Sequence, residues 1–378
     1  MPLGSHNFLQ ETLVVRSGCC KVRIIILFFI MFKNKYSKQL AIAVCSVFIC
    51  ASKETYAVPV LWGVDEDTGR LLKIESYNSS PTVTDYGLLS LNDGGTIRAL
   101  YDTNTSNSAE FSDIEAFTIS PSGTAYMVAN STYSWSGIGG GTYAGSHLFS
   151  LEIYDPTTGA ETVSVDDSTA SNGYNAIQSV GALNTDDEPV NGIDFDPISG
   201  LLFGVIENGG RDDLITVNPE TAAVDTITTK MSGTDDVEDI QFDDSGTLYL
   251  IDDDGDGGLD DTDTLHAVTL NRNGGSVTFD SIVADVNNTG EDGRIEGLAW
   301  DFSTGTLVGF SDDANTLISL NTSSNGYTTL GGIGFNDVEG IDFVPTISGL
   351  PEGVPDTGST AALLGTGLAA LVFARRRL

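Results

Sequence analysis

The chain has 378 residues, of which 43 are glycine, and a formal net charge of −36 at pH 7. Abundant Gly together with Asp, Asn, Ser and Thr is typical of many short strands joined by tight turns, so the composition predicts an all-β fold. So acidic a surface repels nucleic acid and excludes it as a partner. The acidity favours either a solvated surface that resists aggregation or a surface that collects divalent cations.

Basic residues and cysteines are concentrated at the ends of the chain. Ten of the 17 Lys and Arg residues lie before residue 58 or among the last four residues. All four cysteines precede residue 58, so the region 58–355 has no thiol for a disulfide, a nucleophile or a metal site. This distribution predicts three parts: a signal-peptide region at 1–57, a folded domain at 58–350 and a C-terminal sorting signal at 351–378.

The N-terminal region has the pattern of a secretory signal peptide. Three lysines within 33–38 precede the apolar run 40–51, and Thr55-Tyr56-Ala57 offers small residues at the −3 and −1 positions of a cleavage site. A second apolar run at 24–32 suggests that translation starts at Met31. The alternative is a membrane helix, although each run is shorter than the ~20 residues that span a bilayer core.

The C-terminal residues combine a short motif, an apolar segment and a basic end. The motif Val354-Pro355-Asp356-Thr357-Gly358 is followed by the apolar stretch 361–374 and by three arginines at 375–377. As a short helix, the apolar segment would halt in the membrane while the arginines hold its end on the cytoplasmic side and the motif is presented for cleavage. A plain C-terminal anchor is the alternative.

This tail resembles the VPDSG variant of the PEP-CTERM sorting signals, with Thr357 in place of the usual Ser. It is also similar to the LPxTG signal of sortases, with Val354 in place of Leu. The resemblance implies export to the cell envelope, the outer surface or the medium, with an exosortase or a sortase-like enzyme as the processing partner. It implies nothing about the domain in front of the tail.

A repeated unit lies between the two ends of the chain. Each copy has a Glu or Asn near its start, then an apolar-x-aromatic step (apolar-x-Ile in the first copy), a Ser-Gly or Thr-Gly pair, and a return to apolar residues. Full copies begin at residues 113, 190, 237 and 295, and a fifth begins at 338 and stops after six residues. Each copy is typical of a hairpin, and a second apolar hairpin follows it. Four strands in each unit predict a β-propeller.

The shortened fifth unit predicts how the propeller closes. The segments 60–65 and 67–74 resemble the strands that the fifth unit lacks, so the N- and C-terminal strands are expected to pair in one blade. Such pairing removes the free strand edges that an open ring would expose. We therefore predict five blades. Six also fit, because 85–102 and 174–183 contain strand-like runs that we assign to outer strands or loops.

The stretch 252–263 spells DxDxDGxxDxxD, a spacing found in calcium loops. Alternate carboxylates on a tight turn converge on one point, and Ca²⁺ takes roughly six to eight oxygen ligands. The stretch resembles the loops of EF-hands and thrombospondin type 3 repeats, without flanking helices and with Asp where EF-hands end in Glu. An acidic turn without an ion is the alternative. The predicted ligands are Asp252, Asp254, Asp256, the carbonyl of Gly258, Asp260 and Asp263.

A second candidate set is the Glu or Asn near the start of each unit, which a propeller would bring to its central channel. Some lactonase-like and sugar-dehydrogenase-like propellers hold a metal there, and a similar ring would need these residues to converge. The alternative is that these side chains hydrogen-bond to neighbouring blades. The residues are Glu115, Asn191, Glu238, Glu296 and Glu339.

Catalysis is not predicted. The region 58–355 has two histidines, His147 and His266, each beside apolar strand residues, and no GxSxG motif. The leading hypothesis is a calcium-stabilised binding or structural protein of the cell surface or extracellular matrix. Its partner would be an extracellular polysaccharide or another surface protein, and only its terminal segments would meet a membrane. The alternative is a secreted metal-dependent hydrolase or lactonase-like enzyme with its metal in the channel.

Overall fold

The computed structural model describes residues 10–17, 20–27, 46–51, 59–66, 69–93, 96–99, 113–130, 135–136, 142–143, 145–155, 160–164, 175–185, 188–207, 211–229, 231, 233–234, 236–253, 263–272, 278–288, 294–312, 314–324 and 326–344. The chain divides into two compact units, residues 1–57 and 58–378. No helix in the described ranges is long and apolar enough to cross a membrane. The apolar tail 361–374 and the sorting motif at 354–358 lie outside these ranges.

The first unit contains one antiparallel sheet of three strands, β1 (Gln10–Ser17), β2 (Cys20–Leu27) and β3 (Ser46–Ala51), with β2 in the middle. Strand β2 overlaps the first apolar run, 24–32, and β3 lies within the run 40–51 that we predict to be the apolar part of the signal peptide. A signal peptide acts in the precursor protein, and these strands do not test that role. The signal peptide therefore stays a prediction.

The second unit, within the described residues, is built from β-strands. The chain first forms β4 (Leu61–Asp65), β5 (Arg70–Glu75), β6 (Thr82–Asp93) and β7 (Thr96–Ala99). Next come β8 (Asp113–Ile119), β9 (Thr124–Asn130), β10 (Trp135–Ser136), β11 (Thr142–Tyr143), β12 (His147–Glu152) and β13 (Asn175–Ala182). They are followed by β14 (Val190–Phe195), β15 (Leu202–Ile206), β16 (Asp213–Val217) and β17 (Val224–Thr228). Then follow β18 (Val237–Phe242), β19 (Leu248–Asp252), β20 (Thr264–Asn271) and β21 (Thr278–Asn288). The last strands are β22 (Ile295–Asp301), β23 (Thr306–Ser311), β24 (Thr316–Leu320), β25 (Tyr327–Gly332) and β26 (Val338–Phe343).

These strands form five antiparallel groups of four, which we call sheets 1 to 5. Sheet 1 has the order β26-β4-β5-β6, and sheet 2 has the order β8-β9-β12-β13. Sheets 3, 4 and 5 are β14 to β17, β18 to β21 and β22 to β25, each in chain order. Strands β6 and β13 also pair in parallel at the outer edge, with Asn175 opposite Leu89, so sheets 1 and 2 are continuous there. The strand-like runs 85–102 and 174–183 thus contribute outer strands of sheets 1 and 2.

The first hairpin of three sheets is shaped by an aspartate at the last position of the inner strand or directly after it. Asp243 accepts a hydrogen bond from the backbone N–H of Ser245 at 2.9 Å and from that of Thr247 at 2.8 Å. Such Asx turns compete with continued strand pairing, and so they fix where the strand reverses. Gly246 then takes a φ of 80°, which glycine adopts without a Cβ clash. Asp196 and Asp301 make equivalent bonds in sheets 3 and 5.

The first and last strands of the second unit pair with each other, as the sequence predicted. Strand β26 is antiparallel to β4, with Val338 opposite Asp65 and Phe343 opposite Leu61. The innermost strands contact one another in the cyclic order β26, β8, β14, β18, β22 and back to β26. Among the described residues, one buried apolar cluster lies between each pair of successive sheets, including sheets 5 and 1. The fold is therefore all-β and β-propeller-like.

Candidate metal centre

Each innermost strand has an irregularity in pairing at the same place, near its first residue. In β26, Val338 pairs with Asp65 and Gly340 pairs with Val64, so Glu339 has no residue opposite it. A β-bulge of this kind places its extra residue outside the ladder and re-aims the side chain. The bulges fall on Glu115, Asn191 with Gly192, Glu238, Glu296 and Glu339. These positions are the five that the sequence predicted for the channel.

Neighbouring innermost strands approach closely beside these bulges. A Cβ atom on Gly340 would lie 2.6 Å from the backbone N of Phe117, and one on Gly192 would lie 2.7 Å from the backbone N of Ile240. Both distances are far below the roughly 3.5 Å of a normal heavy-atom contact, so only glycine fits. The bulged residues of successive sheets are therefore held at the same end of a narrow ring.

Negative charge accumulates at this end. Burial raises the pKa of Glu339 well above its usual range, and the charges of four other glutamates raise it further: Glu296, Glu115, Glu66 and Glu238. Burial, followed by the charge of Asp312, raises the pKa of Glu296 to about 8. Like charges that share a poorly solvated site are costly unless a cation or a proton compensates them.

Glu296 and Glu339 lie in two carboxylate triads that residues outside the strands complete. One triad is Glu66, Asp337 and Glu339, and the other is Glu296, Asp312 and Asp337; Asp337 belongs to both. In each triad, one oxygen of every residue lies within 4.8 Å of the others. Two backbone contacts fix the geometry, because the N–H of Glu66 donates to the carbonyl of Asp337 at 2.8 Å and the N–H of Asp337 donates to Oδ1 of Asp312 at 3.1 Å.

A third triad, Asp236, Glu238 and Asp253, occupies the corresponding positions in sheet 4. Here an arginine from the next sheet supplies positive charge. Nη2 of Arg294 lies 2.5 Å from Oε1 of Glu238, and its Nε lies 3.6 Å from Oδ2 of Asp253. Nη1 of the same guanidinium lies 3.7 Å from Oε1 of Glu296. The third triad is thus compensated by the chain itself.

Sequence reasoning missed Glu66, Asp312 and Asp337. A signal for the first two is present, since an acidic residue directly follows the second strand of four sheets: Glu66, Glu207, Asp253 and Asp312. Asp337 directly precedes β26, as Asp236 precedes β18. The two positions meet only because the second strand runs antiparallel to the first, so its end lies beside the start of its neighbour.

The predicted calcium loop leaves sheet 4 at the same end. Oδ1 of Asp252 accepts from the backbone N–H of Asp236 at 3.0 Å, and its Oδ2 lies 3.2 Å from Nε2 of His266. Oδ2 of Asp263 accepts from the backbone N–H of Ile295 at 2.6 Å, and burial raises the pKa of this carboxyl to about 8. The first and last predicted ligands are thus bonded to the framework of sheets 4 and 5. Asp254, Asp256, Gly258 and Asp260 lie outside the described residues.

The other predicted candidates contact neighbouring strands. Nδ2 of Asn191 donates to the carbonyl of Val237 at 3.4 Å, which is a bond between neighbouring innermost strands. Nε2 of His147 lies 2.7 Å from Oγ of Ser179 across β12 and β13. Burial lowers the pKa of His147 to about 4, so this imidazole is neutral at physiological pH.

Three fully buried aspartates that sequence reasoning did not select join successive innermost strands. In each case the Oδ2 atom accepts a backbone N–H of the next strand at 2.6 Å. Asp342 accepts from Ile119, Asp194 accepts from Phe242, and Asp239 accepts from Leu298. Their role is to join the ring, because their oxygens are already bonded.

Comparison with known proteins identifies the C-terminal tail. Residues 353–378 match the VPDSG-CTERM motif. The chain therefore carries a PEP-CTERM-type sorting signal and is exported to the cell envelope or surface, and such a signal implies processing by an exosortase-like enzyme. No curated protein matches the chain.

Several solved structures match the chain at low similarity. A protein of unknown function from Desulfotomaculum acetoxidans is 13% identical, with a TM-score of 0.37 over 89% of this chain and 99% of that one. The PQQ-bound aldose sugar dehydrogenase of Streptomyces coelicolor is 13% identical, with a TM-score of 0.37 over 76% and 85% of the two chains. A chain of a nidogen/laminin complex is 11% identical, with a TM-score of 0.36 over 76% and 99%. Similarities this weak say nothing about what the present chain binds or does.

Proposed function

We propose that this protein is a five-bladed β-propeller that acts at the cell surface as a binding or structural protein rather than as an enzyme. The observation that carries the proposal is the sorting signal at 353–378, attached to a propeller-like domain. The blade number is supported by the cyclic contact of five innermost strands and by an apolar cluster at each of the five sheet interfaces. A rigid ring leaves the loops at both ends free for recognition.

The proposed partner is an extracellular polysaccharide or another surface protein. The short ladder of β10 and β11 pairs Trp135 directly with Tyr143. Aromatic rings are suited to stacking against a sugar ring, and the backbone pairing brings these two residues of the chain together. The strong net negative charge argues against an anionic polysaccharide and favours a neutral or cationic one.

Calcium is the proposed stabiliser of the loop between β19 and β20. Its support is the alternation of carboxylates in the sequence, together with framework bonds at Asp252 and Asp263 that hold the two ends of the loop in place. An ion that binds only the native state raises the melting midpoint by mass action. The double variant D254N/D256N should lose this contribution, and D244N, an exposed aspartate in a hairpin turn, is its control.

Surface display and binding are tested together. Cells that produce the full chain and cells that produce a chain lacking 353–378 are treated with external protease, and display predicts cleavage of the first only. Binding to neutral and cationic polysaccharides is then compared for the wild type and W135A/Y143A. Binding that the double variant weakens supports the proposed partner class. Unchanged binding would show that Trp135 and Tyr143 do not contribute to recognition. A wild-type protein that stays inaccessible to external protease would overturn surface display.

A metal-dependent hydrolase is the second candidate function. The observation in its favour is that burial and then the charges of three other bulged residues, Glu296, Glu115 and Glu238, raise the pKa of Glu339. A catalytic metal needs an open coordination position that a substrate can reach. Turnover of lactone or ester substrates that requires Ca²⁺ and disappears in E339Q would establish this alternative.

A further inference from the structure

We propose that the two carboxylate triads that share Asp337 bind Ca²⁺. The bound ion would stabilise the pairing of the first strand of the domain with the last one. This site, which we call the closure site, comprises Glu66, Glu296, Asp312, Asp337 and Glu339. It is separate from the loop between β19 and β20.

The position of these residues explains why an ion would act on ring closure. Glu66 directly follows β4, the first strand of the domain, whereas Asp337 and Glu339 lie at the start of β26, the last strand. Glu296 and Asp312 come from β22 and from the end of β23 in sheet 5. One cluster therefore draws ligands from both chain ends and from the adjacent sheet.

The spacing of the oxygens fits a single coordination shell. Ca²⁺ binds oxygen at about 2.4 Å, so two ligands on opposite sides of one ion lie about 4.8 Å apart. The three oxygens of each triad all lie within 4.8 Å of one another. The donor set is oxygen only, which suits Ca²⁺ rather than a metal that prefers nitrogen or sulfur.

The third triad supplies an internal comparison. Asp236, Glu238 and Asp253 correspond to Asp337, Glu339 and Glu66, and Arg294 of the next sheet lies 2.5 Å from Glu238. Counted from the bulged glutamates Glu115 and Glu296, sheet 2 has Asp113, the first residue of β8, at the position where sheet 5 has Arg294. The triad of sheet 1 therefore receives no arginine from the corresponding position. A bound cation would take the place that the guanidinium has in sheet 4.

A second observation is independent of the carboxylate spacing. Glu296 is 1% exposed, and its Oε2 atom is buried with no hydrogen-bond partner. Its Oε1 atom lies 3.7 Å from Arg294, which is beyond hydrogen-bond distance. A buried carboxyl oxygen without a hydrogen-bond partner is costly, and it indicates a ligand when it lies beside two more carboxylates. Asp312 and Asp337 are those two carboxylates.

The test measures Ca²⁺ binding to the full chain by calorimetric titration, in the D254N/D256N background so that the loop between β19 and β20 does not contribute. D337N is the main variant, because Asp337 has a φ of 58° and Asn tolerates this conformation at least as well as Asp. E66Q is the second variant and guards against misfolding of the first. D244N, in the hairpin turn at the opposite end of sheet 4, is the matched control.

The proposal predicts that D337N and E66Q each weaken Ca²⁺ binding by about tenfold or more, whereas D244N binds as the parent does. It also predicts that Ca²⁺ slows amide hydrogen exchange in 61–66 and 338–343, because the N–H of Glu66 donates to the carbonyl of Asp337. Unchanged affinity in both variants, or exchange in both segments that does not respond to Ca²⁺, overturns the closure site. Neither result would alter the test of surface display or of the loop.

Discussion

Asp194 and Asp342 are fully buried in different sheets and share one hydroxyl group between them. Oγ1 of Thr118 lies 3.0 Å from Oδ1 of Asp194 and 3.1 Å from Oδ2 of Asp342. A threonine hydroxyl has a single hydrogen, so it can donate to only one of the two carboxylates. The arrangement is satisfied when the other carboxyl is protonated and donates to Thr118 in turn. Burial raises the pKa of both groups, that of Asp342 to about 7.

The melting midpoint should therefore fall as the pH rises from weakly acidic to neutral. The unfolded chain releases these protons near the ordinary aspartate pKa of about 4, while the folded chain keeps them. The folded state binds more protons, so stability is highest at low pH and is lost as the pH rises through the folded pKa near 7. Asp212, whose pKa burial raises to about 6, contributes with the same sign.

D342N tests this account without a large change in volume. The difference between the melting midpoints at about pH 5.5 and about pH 7.5 should shrink in the variant, because the group that takes up the proton is gone. D225N changes an exposed aspartate of β17 and should keep the wild-type difference. Measurements are made with chelator present, so that metal binding does not contribute. A wild-type midpoint that rises between these pH values would contradict the prediction.

Close approach of β26 and β8 predicts that Gly340 tolerates no side chain. The new Cβ of G340A would lie 2.6 Å from the backbone N of Phe117, so one strand must shift. Overpacking of this kind costs typically 1–3 kcal/mol, and we expect at least about 2 kcal/mol in the free energy of unfolding, measured by denaturant titration. G332A is the control, because its Cβ would meet its nearest neighbour at an ordinary 3.5 Å. A G340A variant as stable as the control would show that the ring is wider than described.

Arg272 connects sheet 4 to the first hairpin of sheet 3. Its Nε and Nη2 atoms lie 2.8 and 3.1 Å from the two oxygens of Asp196, whose side chain is fully buried. R272M keeps the aliphatic stem and removes the charge, which leaves a buried carboxylate unpaired, so we expect a loss of about 3 kcal/mol at neutral pH. R211M, at an exposed arginine, is the control. Burial raises the pKa of Asp196, but the contact with Arg272 lowers it by more, so the pKa is below its usual value. The loss of stability in R272M should therefore shrink as the pH falls below the usual aspartate range.

The contacts of Arg294 predict that its positive charge affects how strongly the stability of the protein depends on Ca²⁺. It lies 2.5 Å from Glu238, and its guanidinium also approaches Glu296 of the closure site. R294Q removes the positive charge that compensates the third triad, so the melting midpoint in chelator should fall. The gain on adding Ca²⁺ should then exceed that of the wild type, because more uncompensated carboxylates are available to the ion. An equal gain in both proteins would indicate that Arg294 and the cation do not share an electrostatic environment.

The sequence predicted those features that repeat along the chain. Strand pairs around Ser-Gly and Thr-Gly turns, the pairing of 60–65 with 338–343, and the placement of Glu296 and Glu339 at equivalent positions all follow from the aligned units. Each rests on local patterns of apolar residues and turn residues, which act within one hairpin.

The partners across sheets could not be predicted in the same way. Asp337 meets Asp312 only when sheets 5 and 1 pack, and Thr118 meets Asp194 and Asp342 only when three innermost strands assemble. Nothing in the spacing of these residues along the chain encodes a contact between sheets. The predicted calcium loop shows the same limit of sequence patterns. Its spacing of aspartates did not indicate that Asp252 and Asp263 hydrogen-bond to the backbone of neighbouring strands and loops.

A crystal structure of the protein grown with Ca²⁺ would show directly whether a cation joins the two ends of the propeller domain. We expect an anomalous difference peak about 2.4 Å from a carboxylate oxygen of Asp337, with Glu296 and Asp312 or Glu66 and Glu339 in the same coordination shell. We also expect five four-stranded sheets around one axis. Crystals with no peak at Asp337, whether or not the loop between β19 and β20 holds an ion, would contradict the claim that Ca²⁺ joins the two ends of the domain.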